Sequence, residues 1–282
     1  MRCDCHIHMV LDGQNWKQAI DSHRACPADG IIRRRLETYQ ALQMTYLRDG
    51  GDRWGVGKRA RELAGDYGIR YRTPLAPLCK AGHYGSFIGK TYHNLGEYQA
   101  LVEQLRQEGG DFVKIMISGL MDFNCYGRLT EPGLESGEIR ELVHIAHEEG
   151  FAVMAHGNGN GAVEAAAEAG VDSVEHGAYL EEGALAAMAE AGTVWVPTLS
   201  TIGNLRGRGR FDEGAVEEIL AAAMENVRRF SRMGGLLAPG TDAGAWAVPH
   251  GSLTEFALME QALGPEGEGI LEKGAKVIME KF

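Results

Sequence analysis

Phe151-Ala-Val-Met-Ala-His-Gly157 and Ser173-Val-Glu-His-Gly177 are two short apolar runs, each closing on His-Gly. Between them, Gly161–Ala169 carries apolar residues at helical spacing. The stretch therefore reads strand, helix, strand. A helical crossover between two strands joins parallel neighbours, because an antiparallel pair needs only a tight turn. The same alternation extends in both directions. Further strands are expected over Arg2–Met9, Met44–Arg48, Ile69–Leu78, Phe112–Ile117, Thr193–Leu199 and Leu236–Pro239. Helical patterns lie over Gly57–Tyr67, Leu95–Glu108, Ser136–Glu149, Glu182–Ala191 and Asp212–Met233. Repeated strand–helix units without a break in composition predict an α/β fold. Eight of them in this length favour a closed (β/α)8 TIM barrel over an open sheet. We expect residues 1–282 to form one such domain.

Bulk properties agree with that reading. The 282 residues include 39 glycines, about twice the usual share, which suits a fold with many strand-to-helix turns. A net charge of −11 argues against nucleic-acid and anionic-membrane partners. No apolar run is long enough to span a bilayer. The amino terminus enters a strand carrying Asp4, His6 and His8 rather than a signal peptide, so a cytoplasmic location is expected. Five scattered cysteines do not suggest a disulfide framework. Cys3 and Cys5 should lie on the strand face opposite His6 and His8, packed against outer helices.

His6 and His8 are two residues apart in a strand, so both point the same way and can share a metal ion. Four more ligand-type residues stand near the ends of later strands: Lys114, His156, His176 and Asp242. In a barrel of this kind the active site lies at the C-terminal ends of the strands. Imidazole and carboxylate ligands suit zinc, which makes bound water a nucleophile near neutral pH. A neighbouring carboxylate can take and return a proton.

The motifs resemble those of the amidohydrolase superfamily of metal-dependent hydrolases, most closely its imidazolonepropionase-like and prolidase-like branch. They are Asp4-Cys-His-Ile-His8, Asp111-Phe-Val-Lys-Ile-Met-Ile-Ser-Gly119, Ala155-His-Gly157, Gly170-Val-Asp-Ser-Val-Glu-His-Gly177, Val196-Pro-Thr-Leu199, Gly240-Thr-Asp-Ala-Gly244 and Pro249-His-Gly251. The resemblance implies a binuclear centre of two divalent ions, expected to be zinc. His6, His8 and Asp242 would bind the more buried ion and His156 and His176 the other. Lys114, carboxylated, would bridge them. Asp242 would also shuttle the proton. Many relatives carry an added β-sandwich domain; this chain starts at the first strand, and none is expected.

Substrate contacts are expected from His83 and Tyr84 after the third strand, Tyr126 after the fourth, and Asn158 after His156-Gly157. Arg48 is open between a substrate carboxylate and an ion pair with Asp49. Trp16, Trp54, Trp195 and Trp246 are expected in core or loop packing, and His250 as a loop-fixing residue. His144 and His147 should lie on the outer surface, and Arg206-Gly-Arg-Gly-Arg210 in a solvated basic turn. The implied activity is hydrolysis of an amide C–N bond, non-peptide or dipeptide-like, in a small-molecule substrate. Lactone or ester hydrolysis is an alternative at the same site. A mononuclear deaminase is disfavoured by Lys114, and a non-catalytic binding protein by the full ligand set. The sequence leaves a homo-oligomer open.

Overall fold

The computed structural model describes residues 2–282. Its strands are β1 (Arg2–Ile7), β2 (Met44–Asp49), β3 (Arg70–Arg72), β4 (Leu78–Lys80), β5 (Lys90–Tyr92), β6 (Val113–Met116), β7 (Val153–Gly157), β8 (Ser173–His176), β9 (Val194–Val196) and β10 (Leu236–Leu237). The helices are α1 (Trp16–Asp21), α2 (Asp29–Ala41), α3 (Val56–Ala64), α4 (Leu95–Gln107), α5 (Ser136–Glu148) and α6 (Asn160–Glu168). They continue with α7 (Glu182–Ala191), α8 (Ser200–Gly203), α9 (Glu213–Arg232), α10 (Thr254–Leu263) and α11 (Gly267–Lys281).

The strand pairings are all parallel and fall into two arcs, β1-β2-β3 and β10-β9-β8-β7-β6-β4-β5. Backbone hydrogen bonds join the arcs into a barrel. On one side Cys5 N–H donates to Pro239 O at 2.9 Å and Asp242 N–H to His6 O at 2.7 Å. On the other, Asp111 N–H donates to Thr73 O at 3.0 Å. Helices cover the outside through single apolar stripes. Helix α5 buries Ile139, Leu142, Val143 and Ala146 at i, i+3, i+4 and i+7. Asn94 begins α4 by accepting from Glu97 N–H, and the Glu97 carboxylate accepts from His93 N–H in return.

The third strand departs from expectation. Ile69–Leu78 is not continuous: β3 pairs with β2, β4 pairs with β6, and the chain kinks between them. Pro74 and Pro77 lack the N–H a ladder needs, and Leu75 sits at φ +61°. Helices α1, α2, α8, α10 and α11 and the strand β5 lie where the sequence pattern predicts no element. In α2 the apolar stripe Ile32–Leu36–Tyr39 is diluted by three consecutive arginines. Cys3 and Cys5 are buried in a cluster that includes Ala275 and Ile278 of the outer helix α11, as expected, together with Phe112, Met154, Val194, Val196 and Ala238 from other strands and their flanks. The pairing of β1 with β2 shifts register between Asp4 and Ile7, which breaks strict alternation there. Among the described residues, no helix is long and apolar enough to cross a membrane.

Candidate metal centre

His6 lies in β1, His8 just beyond it, and Asp242 in the loop after β10, which the closing hydrogen bonds bring alongside. His6 Nε2 is 3.4 Å from His8 Nε2 and 3.5 Å from Asp242 Oδ1. His8 Nε2 is 3.3 Å from Asp242 Oδ1. His6 Nδ1–H donates to Glu175 Oε2 at 2.7 Å. A neutral His6 therefore has a lone pair, not a proton, at Nε2. That lone pair faces a carboxylate oxygen that is buried and has no hydrogen-bond partner among the described residues. Electron pairs converging in a buried site repel unless a cation stands among them. The donor set, imidazole nitrogens and carboxylate oxygen within 4.8 Å of one another, fits a divalent ion.

The second pair of histidines faces the same space. The His156 ring, from β7, is centred 4.5 Å from that of His176 at the end of β8, and His176 is 5.1 Å from His6. His156 Nε2–H donates to Gly119 O at 3.3 Å, which frees Nδ1. His176 Nδ1 shares a 2.7 Å hydrogen bond with Thr198 Oγ1. Three positions at or just beyond strand ends occupy the left-handed region: His176 at φ +70°, Thr198 at +49° and Asp242 at +55°. Such strain collects where side chains must be aimed. Gly50 lies against the flat of the His8 ring, where a Cβ would overlap Cε1.

Burial holds the imidazoles neutral, the form that binds a metal: His8 and His156 are pushed down to about 3, and His6 and His176 well below the usual range. Burial also lowers the Lys114 amine, in β6, to about 8, which raises the share of its neutral form. Its ammonium has no hydrogen-bond or ion-pair partner among the described residues. The neutral amine is the species that adds carbon dioxide. Burial raises the Asp242 carboxyl, against the opposing charge of Lys114.

His8, Lys114, His156, His176 and Asp242 line one cavity of about 530 Å³ at the C-terminal ends of the strands; His6 sits beneath it. Tyr84 and Asn158 reach this cavity, with the Tyr84 ring 4.9 Å from that of His156. Asn158 is fully engaged with backbone, donating to Gly119 O and accepting from Ala178 N–H. The structure does not bring His83 or Tyr126 to the wall. His83 turns toward Glu131 at 3.8 Å, and Tyr126 is exposed against the Tyr179 ring. Trp16, Trp246 and Arg210 do line it, so two of the tryptophans and the end of the basic loop belong to the site.

Sequence reasoning missed Glu175. It joins His6 to Arg48, whose Nη2 donates to Glu175 Oε1 at 2.7 Å, while Arg48 Nε–H donates to Cys5 O. Arg48 is fully buried and reaches neither the cavity nor Asp49. The only available signal was a carboxylate in a buried strand, one residue before the candidate ligand His176. His250 fixes its loop, Nε2–H donating to Leu11 O and Nδ1 bonding to the Tyr39 hydroxyl.

Residues 62–265 match the amidohydrolase family, a span that holds Lys114, His156, His176 and Asp242. The chain is 25% identical to the ochratoxinase of Aspergillus niger over 307 residues, covering 92% of this chain and 62% of that protein. It is 29% identical to the imidazolonepropionase of Acidiphilium cryptum over 217 residues, 68% of this chain and 53% of that one. Among solved structures, a Xaa-Pro dipeptidase with bound methionine superposes with a TM-score of 0.81 at 23% identity, over 99% of this chain and 75% of its own. That likeness bears on the fold. The chain spans 35–62% of the length of the curated relatives it matches.

Proposed function

Because the chain belongs to the amidohydrolase family, we propose that it is a metal-dependent hydrolase cleaving the C–N bond of a small-molecule amide. We read residues 1–282 as one catalytic barrel. The observation that carries the proposal is the convergence of His6 Nε2, His8 Nε2 and Asp242 Oδ1 in a buried site at the floor of the cavity.

His6, His8 and Asp242 would hold one divalent ion, zinc by ligand type, and His156 and His176 a second. Lys114, as a carbamate formed when its neutral nitrogen adds to carbon dioxide and loses a proton, would supply an anionic oxygen donor to the centre. When bound, the ions supply a Lewis acid for the amide carbonyl and an activated water. Glu175 keeps His6 in the tautomer that presents Nε2. Asp242 takes the proton at its carboxylate oxygen and delivers it to the leaving nitrogen, which departs as an amine. Tyr84, beside His156, contacts the substrate, and Asn158 holds the Gly119 carbonyl that orients His156.

The test is a hydrolysis screen of N-acyl amino acids, dipeptides, cyclic amides and lactones on protein grown with zinc and bicarbonate. Elemental analysis should find about two divalent ions per chain. Amide cleavage should vanish on chelation and return with metal. Turnover unaffected by complete metal removal refutes the proposal. Exclusive turnover of lactones replaces the amide by an ester. One ion per chain with full activity removes the bridging lysine.

A further inference from the structure

The cavity wall above the ligands is mostly apolar, with Trp16, Phe87, Met121, Phe123 and Trp246 contributing. Two charged side chains outside the ligand set also line it, Asp122 and Arg210. Asp122 is satisfied locally: its Oδ1 accepts from Asn124 N–H at 3.0 Å and its Oδ2 lies 3.8 Å from Arg128. Arg210 is not. Its guanidinium carbon sits 4.1 Å from the centre of the Trp246 ring and 5.3 Å from that of Phe211. No carboxylate or carbonyl accepts from it among the described residues. Stacking on an aromatic face fixes the plane of a guanidinium and leaves its edge donors pointing outward.

The surroundings sharpen the point. Arg206, Arg208 and Arg210 crowd one loop at the cavity mouth, in a chain whose net charge is −11. Arg206 donates to the Gly203 carbonyl at the end of α8 and lies 4.0 Å from Glu217, and Arg208 donates to the Asn204 carbonyl. Arg210 alone of the three lines the cavity. Among the described residues, Arg210 is the one cationic side chain outside the proposed ligand set that lines the cavity, and its single planar fork matches one planar, singly charged carboxylate.

We propose that Arg210, stacked on Trp246, is a specificity-determining residue that receives a substrate carboxylate, so that the substrate is an apolar-bodied amide bearing one carboxylate group. The assignment of the scissile bond rests on the hydrolase reading above; the anion subsite does not.

The two can be tested apart. Calorimetry on metal-loaded protein would compare 4-phenylbutanoate with its primary amide, 4-phenylbutanamide. The acid should bind the wild type at least about tenfold more tightly. Arg210→Ala should erase that advantage and leave the amide's affinity unchanged. Arg210→Lys should retain part of it, having charge without the fork, and Arg208→Ala all of it. An acid preference that survives in Arg210→Ala overturns the proposal, because the carboxylate is then held elsewhere, as at the metals. So does a wild type that does not distinguish acid from amide. For an amide substrate found in the screen, Arg210→Ala should raise KM about tenfold or more while kcat stays within a few-fold. Arg210-dependent acid binding with no amide turned over would uphold the subsite and refute hydrolysis. Turnover with no Arg210 dependence would do the reverse.

Discussion

Glu175→Gln would test whether the proposed metal binding by His6 depends on its position alone or also on the tautomer its neighbour imposes. The wild-type carboxylate accepts on both sides, from His6 Nδ1–H at 2.7 Å and from Arg48 Nη2 at 2.7 Å, with Ser173 Oγ–H adding a third bond at 2.7 Å. An amide can accept on one side only. Arg48 and Ser173 both donate on the Oε1 side, so the carbonyl is held there and the NH2 turns toward His6. His6 Nδ1 must then accept, and the ring proton moves to Nε2, where it faces Asp242 and blocks ligation. Disturbing a carboxylate that orients a metal-binding histidine typically costs about 10–100-fold in metal affinity. Arg48, fully buried, also loses its counter-charge. Breaking a buried pair costs up to about 3–5 kcal/mol, a melting point lower by roughly 6–20 °C in a chain of this size.

The double variant Glu175→Gln/Arg48→Met makes the argument decisive. With the guanidinium gone, the amide can turn its oxygen to His6, which restores the Nε2 lone pair and removes the stranded cation. Metal affinity, read by competition with a chromophoric chelator, should fall in the single variant and recover at least in part in the double. The melting temperature should follow the same order. If Glu175→Gln holds metal within about twofold of wild type, or if the double variant is no better than the single, the tautomer argument is wrong.

Three further outcomes follow from particular contacts. Gly50→Ala puts a methyl into the face of the His8 ring, so bound metal should drop from about two ions per chain to about one with circular dichroism unchanged; full loading would show that the ring has room to move. Asp242→Asn keeps an oxygen ligand but cannot accept a proton, so the variant should stay largely metal-loaded while kcat falls about 10²–10⁴-fold; near wild-type turnover would send the search for the base elsewhere. Burial holds His250 down to about 3 in the fold, against an ordinary value of 6.5. Between those values the unfolded chain binds the extra proton and the folded one does not, so this contribution to stability is intact above pH 6.5 and is lost as pH falls toward 3. His250→Gln should therefore flatten the decline of melting temperature between pH 6.5 and 4, and parallel curves for the two proteins would refute the assignment.

What could be read in the chain before folding, and what could not, divides on physical grounds. His6 and His8 declare themselves because a strand repeats every two residues, and the spacing alone puts both on one side. His156 and His176 follow for a related reason: a βαβ unit delivers each strand end to the same rim of the barrel. The whole eightfold alternation is a local signal of this kind. Glu175 is different. Its partners are 169 and 127 residues away in sequence, on β1 and β2, and no period links them until the barrel closes. Tertiary closure likewise decides which loop residues reach the cavity. Trp246 and Arg210 come from separate loops and meet only above the finished sheet, whereas His83, from a loop beside the site, swings toward Glu131. The kink that splits the third strand was in view, in Pro74 and Pro77, but two prolines in an apolar run weigh little against a strand count that works. Positions set by backbone periodicity are thus the donor atoms of the proposed chemistry. Positions set by closure are the groups that tune those donors and sort substrates. That is why family membership and the candidate ligand set come early while substrate does not, and why the informative experiments bear on Glu175 and Arg210 rather than on the histidines themselves.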